Sequence, residues 1–301
     1  EFEEMKTMIS QISDSEIRKA AEFMLEVGIY GYVSDQLKDN PEIRYHSPTH
    51  WRNVMQQTRD TMKPIYAELK NKGIITDEQE KYALDLNVLT ALRHDLGYVM
   101  EKGREEGFGT IASLHEGRVQ ELLDRLTLGQ GEDTVQAREA MQFGLEATVF
   151  RRAQALSGKV EYVEFTPQQF TEFSEFVYKF LESGKLQAAE LERFKVLSAE
   201  AKKVLKSYSS AIDESISKNE LSESNRDAFV KMLGASLGAR ALGIADVGYG
   251  DTSDLKLAIL LLGEFTNDIM HTVQALHKLG FQIDGKLIDP AKSMEDTVAD
   301  L

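Results

Sequence analysis

His94 and Asp95 sit side by side in Ala91-Leu92-Arg93-His94-Asp95-Leu96-Gly97-Tyr98. They close a segment carrying Leu84, Leu86, Val88, Leu89, Ala91 and Leu92, too apolar all round for a surface helix. Gly97 is a natural helix terminator. An imidazole and a carboxylate at the rim of a buried helix are costly unless something compensates them. A divalent metal ion would do so. In isolation, an ordinary His and Asp at a helix C-terminus would look the same, so other segments have to decide.

Two segments do. In Tyr45-His46-Ser47-Pro48-Thr49-His50-Trp51-Arg52-Asn53-Val54, Ser47 reads as an N-cap and Pro48 as the first helical residue. His50 then falls in the first turn, and His46 leans in from just outside the helix. In Ala241-Leu242-Gly243-Ile244-Ala245-Asp246-Val247-Gly248, a second apolar helix ends on a lone carboxylate followed by glycine. His50, His94, Asp95 and Asp246 thus form a set of two His and two Asp from three helix ends, suited to Zn, Mn, Fe or Mg.

The ordered set His50, His94-Asp95, Asp246 resembles the signature of HD-domain metal phosphohydrolases, and the class I cyclic-nucleotide phosphodiesterase branch in particular. Further short blocks are similar to that branch. They are the Tyr-His and following His of 45–54, His94-Asp95-Leu96, Leu114-His115 with Leu122-Leu123, Ala147-Thr148, and Ala245-Asp246 with Glu264-Phe265. The chain also departs from the branch. The water-activating Glu that precedes the family's helix His aligns with Ala112, while Glu116 follows His115 directly. No counterpart of the glutamine and aromatic purine clamp follows Asp246; Leu279-Gly280-Phe281-Gln282 is too close to it. The loop after Asp246 reads Gly248-Tyr249-Gly250-Asp251, unlike the family's.

The resemblance implies an all-α, HD-domain or phosphodiesterase-like helical bundle that hydrolyses a phosphoester: a phosphodiester, cyclic nucleotide or nucleotide. It implies metal at His50, His94, Asp95 and Asp246, with Asp95 bridging to a second divalent ion (Zn, Mn, Mg or Fe). A metal-bound hydroxide would be the nucleophile. His46 would protonate the leaving oxygen, and His115 would orient the bridging water or stand behind it. Arg93, Arg151 and Arg152 are candidates for phosphate contact, although surface arginine is the commoner explanation for each. Two rivals stay open. One is an HD-fold diiron oxygenase, which needs more histidines between Asp95 and Asp246 than His115. The other is a catalytically degenerate binding or regulatory module, which the Ala112 position favours.

Composition narrows the classes. Thirty-five basic and 50 acidic residues leave a net charge of −15, which argues against a duplex nucleic-acid partner. A small phosphorylated substrate is compatible, because bound metal inverts the local field. Without cysteine, any metal must be held by His and carboxylate. The longest apolar run, 257–262, is far too short to cross a bilayer and no signal-peptide pattern is visible, so a cytoplasmic, non-membrane protein is expected.

The spacing predicts helix nearly throughout one domain, 1–301. Helix starts fall at Ser13-Asp14-Ser15-Glu16 (running to about Leu37), Ser47 (to about Lys70), Thr76-Asp77-Glu78-Gln79, Thr166-Pro167 and Ser222-Glu223-Ser224. One further helix ends near Arg152, and Leu255 to Leu276 marks another helical face. An extended tail is expected after Gly280. The charged segment 166–218 reads as a solvated helical hairpin or a helical insertion. Glycines 234 and 238 would let a helix approach its neighbours closely. His271 and His277 lie outside the ordered pattern and read as packing or surface histidines.

Overall fold

The structure is a computed structural model, and it describes residues 1–33, 48–94, 132–146, 163, 165–246 and two short strands, 282–283 and 286–287. Its helices are α1 (Phe2–Ser10), α2 (Ser15–Val33), α3 (Pro48–Asn71), α4 (Asp77–Arg93), α5 (Glu132–Leu145), α6 (Pro167–Ser183), α7 (Ala188–Ala201), α8 (Ser209–Lys218) and α9 (Glu223–Asp246). A 3-10 turn, Lys206–Tyr208, leads into α8. The fold is all-α, as expected. The described extended pieces are β1 (Gln282–Ile283) and β2 (Lys286–Leu287), an antiparallel pair in the segment expected to be an extended tail.

Local chemistry sets where the helices begin. The Asp14 carboxylate accepts from the backbone N–H groups of Glu16 and Ile17, which starts α2. Thr76 and Gln79 form a reciprocal capping box at the start of α4, and Thr166 and Gln169 do the same at α6, where Pro167 is the first helical residue. The glycine at the end of α6, Gly184, is left-handed at φ 74°. α4 stops at Arg93 with His94 as its C-cap, earlier than the stop expected at Gly97. Ser47, Leu37, the end expected near Arg152 and the 255–276 face lie outside the described residues.

α4 is buried from Asp85 to Arg93, polar residues included. Its neighbour α9 is also sunk in the core, and two contacts fix how they run. A methyl on Gly234 would lie 3.3 Å from Ala83 Cβ, and one on Gly238 would lie 2.0 Å from Asn87 Nδ2. Both numberings rise together, so α4 and α9 are parallel. α5 runs the same way, with Lys231 bonded to Gln136 at one level (2.9 Å) and Gly144 against Thr90 further along. α3 runs against them: its far end brings Tyr66 to Asn87 and Gly234, and its start brings His50 to His94. The start of α3 and the ends of α4, α5 and α9 therefore meet at one end of the bundle.

The segment 166–218 is part of this core. Phe170, Phe173, Phe180 and Phe194 are buried, and Phe180 meets Phe229 of α9 edge to face. Its charges lie on the opposite, exposed faces, as in the Arg193–Glu172 pair. α9 is the described helix long and apolar enough to cross a membrane, but most of its length is buried within the bundle. Its apolar character on every side follows from helices packed around it.

Candidate metal centre

Three of the expected ligands converge. His50 comes from the first turn of α3, His94 from the C-cap of α4, and Asp246 from the last described turn of α9. The two Nε2 atoms are 3.1 Å apart, and Asp246 Oδ1 lies 3.6 Å from the first and 3.5 Å from the second. The imidazole planes are inclined at 58°, so the rings do not stack. Among the described residues, these three side chains are the group able to share a metal ion.

The spacing fits an ion. A triangle with sides of 3.1, 3.5 and 3.6 Å has a circumradius of about 2.0 Å, close to an ordinary metal–nitrogen bond. His50, His94 and Asp246 would hold such an ion through two imidazole nitrogens and one carboxylate oxygen.

The surroundings favour the same reading. His94 Nδ1 is 2.5 Å from the Ala91 carbonyl. A carbonyl only accepts, so Nδ1 carries the proton and Nε2 presents its lone pair to the shared point. Asp246 sits at the negative end of a helix, where a carboxylate is unfavourable without a cation beside it. His50 and His94 are sealed from solvent, while the Asp246 side chain is 14 % exposed, so access is from the carboxylate side.

The other expectations fall differently. Asp95, His46, His115, Ala112, Glu116, Arg151, Arg152, His271 and His277 lie outside the described residues. Arg93 is described, and it is a buried residue at 1 % exposure rather than a surface arginine. Glu146, which the sequence reading does not single out, is also buried, just past the end of α5, and its Oε1 accepts from Gln142 Nε2 at 3.0 Å. The parallel course of α5 puts it at the same end of the bundle as His50, His94 and Asp246. The signal was available: Met141, Phe143 and Leu145 lead to a single acid, the pattern that pointed to Asp246.

No protein-family model, no curated protein and no solved structure matches this chain. What the structure shows by itself is the meeting of His50, His94 and Asp246.

Proposed function

We propose that the chain is a metal-dependent phosphohydrolase of HD type, acting on a small phosphoester. The observation that carries this reading is the convergence of His50, His94 and Asp246, 44 and 152 residues apart in sequence, on one ion-sized point. A divalent ion held there supplies an activated water and Lewis acidity toward a phosphoryl oxygen. The chain's own groups do the rest. His94, with its Nδ1 proton engaged by Ala91, keeps Nε2 available as a ligand throughout. The buried imidazoles keep bulk water from the inner side, and the Asp246 edge leaves the outer side for substrate. Asp95, directly after His94, would also help to hold metal, His46 would give a proton to the leaving oxygen, and His115 would orient water.

One observation favours a second reading. Two histidines and one carboxylate around an open face is also the donor set of mononuclear non-haem iron oxygenases. One experiment separates the two. The purified protein is analysed for metal, then reloaded with Mn, Zn or Fe(II) and assayed for phosphate release from phosphomonoesters, cyclic nucleotides and nucleotides. Oxygen uptake with Fe(II) is followed in parallel. The hydrolase reading expects stoichiometric metal and phosphate release that is lost in Asp246→Ala. Oxygen uptake without phosphate release would replace it with the oxygenase. Absence of bound metal under every loading condition would overturn both.

A further inference from the structure

The three helices that bring His50, His94 and Asp246 together meet a second time, deeper in the bundle. Tyr66 of α3 donates its hydroxyl toward Asn87 Oδ1 of α4 at 2.7 Å and toward the Gly234 carbonyl of α9 at 3.1 Å. Asn87 Nδ2 donates to the same Gly234 carbonyl at 3.4 Å. Burial pushes the Tyr66 phenol far above its ordinary value, so the hydroxyl remains a donor. Asn87 occupies the space next to Gly238, where an added methyl would lie 2.0 Å from Nδ2 and 2.7 Å from Cγ. Hydrogen bonds and close approach together fix both the axial register and the separation of α4 and α9.

We propose that Asn87 is a positioning residue for the metal centre, acting through its bonds to Tyr66 and Gly234 and its seat against Gly238. This rests on the reading of His50, His94 and Asp246 as a metal site. Asn87 lies seven residues before His94, about 10 Å along the axis of α4. Gly238 lies eight residues before Asp246 on the parallel helix. A slide or splay at this level is carried along two rigid helices to the ligands. A metal site tolerates little of it, because donor distances must hold within about 0.2 Å. An apolar contact would seal the core equally well but would leave register loosely defined. A bonded amide between three helices admits one alignment, since any other strands buried donors and acceptors.

The test uses the full chain and Co(II) as the probe, read by chelator competition for affinity and by the visible ligand-field spectrum for geometry. Variants are Asn87→Ala, Gly238→Ala and the milder Tyr66→Phe, with Phe194→Leu in the α6–α7 core as a control for general loss of stability. Gly→Ala within a helix is ordinarily favourable, so a loss at Gly238 reports the collision with Asn87. Asn87→Ala and Gly238→Ala are expected to weaken Co(II) binding by about 10- to 100-fold and to shift the spectrum, the size typical for groups that orient ligands. Tyr66→Phe should move both readouts the same way by less, and Phe194→Leu should lower the melting temperature with neither readout changed. If the folded Tyr66→Phe and Gly238→Ala proteins bind Co(II) with wild-type affinity and spectrum, the positioning role is wrong. It is equally wrong if Phe194→Leu weakens binding as much as they do. A wild-type chain that binds no Co(II) would overturn the metal site itself, and the positioning role with it.

Discussion

At the scale of the residue, His50, His94 and Asp246 need one another. A cation held among them would offset the burial of two imidazoles and of a carboxylate at a helix C-terminus. Replacing His50 or His94 by Ala is expected to weaken metal binding by more than about 100-fold, beyond the range for supporting groups, as measured by chelator competition. Asp85 shows a different use of a buried carboxylate. Its Oδ2 accepts from the backbone N–H groups of Ser13 and Asp14, tying the α1–α2 turn to α4. Desolvation nevertheless holds its pKa above the ordinary aspartate value. The folded state therefore takes up this proton more readily than the unfolded chain. Its contribution to stability falls as pH rises through the ordinary aspartate range, and levels off above the raised folded value. Asp85→Asn can keep both bonds on one amide oxygen and should remove that part of the pH dependence in denaturant titrations. Asp85→Ala strands two N–H groups and should cost about 1–3 kcal/mol at neutral pH.

At the scale of the element, the helices are placed by their ends as much as by their faces. The Thr76 and Thr166 capping boxes are both legible in sequence, and Thr76→Ala should cost about 1 kcal/mol in equilibrium unfolding. The end of α8 is less legible. Asn219 there is left-handed at φ 46°, and its side chain accepts from Leu186 N–H and donates to Leu186 O, holding the link before α7. Asn219→Gly relieves the backbone but loses both bonds, and Asn219→Ala loses the bonds and adds strain. Unfolding measurements should therefore rank wild type first, Gly second and Ala last, with Ala about 1–3 kcal/mol below wild type. The segment 166–218 teaches the same point about faces. Its charges suggest a solvated hairpin, yet every few residues it places a phenylalanine that is buried on α5, α7 or α9.

At the scale of the whole molecule, one core joins the end of the bundle that carries His50, His94 and Asp246 to the aromatic cluster around Phe143, Phe173, Phe180 and Phe229. Phe180→Ala should cost about 3–5 kcal/mol and lower the melting temperature of the chain as a unit. Metal binding should act on the same transition from the other end. An ion that binds only the folded chain stabilises it by about 2.7 kcal/mol at 100 times its Kd, so excess Zn or Mn should raise the melting temperature and a chelator should lower it. The shift should vanish in Asp246→Ala. A shift that persists there would place the ion elsewhere.

The sequence by itself determined the helical class, several helix starts and three candidate ligands, because these follow from local rules: cap residues, apolar periodicity, and polar groups ending apolar helices. Thr76, Thr166 and Asp246 could each be read from a few neighbours. Only the tertiary structure decided that α4, α5 and α9 run parallel with α3 against them, and so that His50, His94 and Asp246 share one point. It also decided that Arg93 is interior, that Glu146 lies at the same end of the bundle as those three side chains, and that Asn87 fills the space Gly238 leaves open. Local sequence carries no record of helix direction in space. That is set by how close two backbones can come and by which buried polar groups find partners when they do.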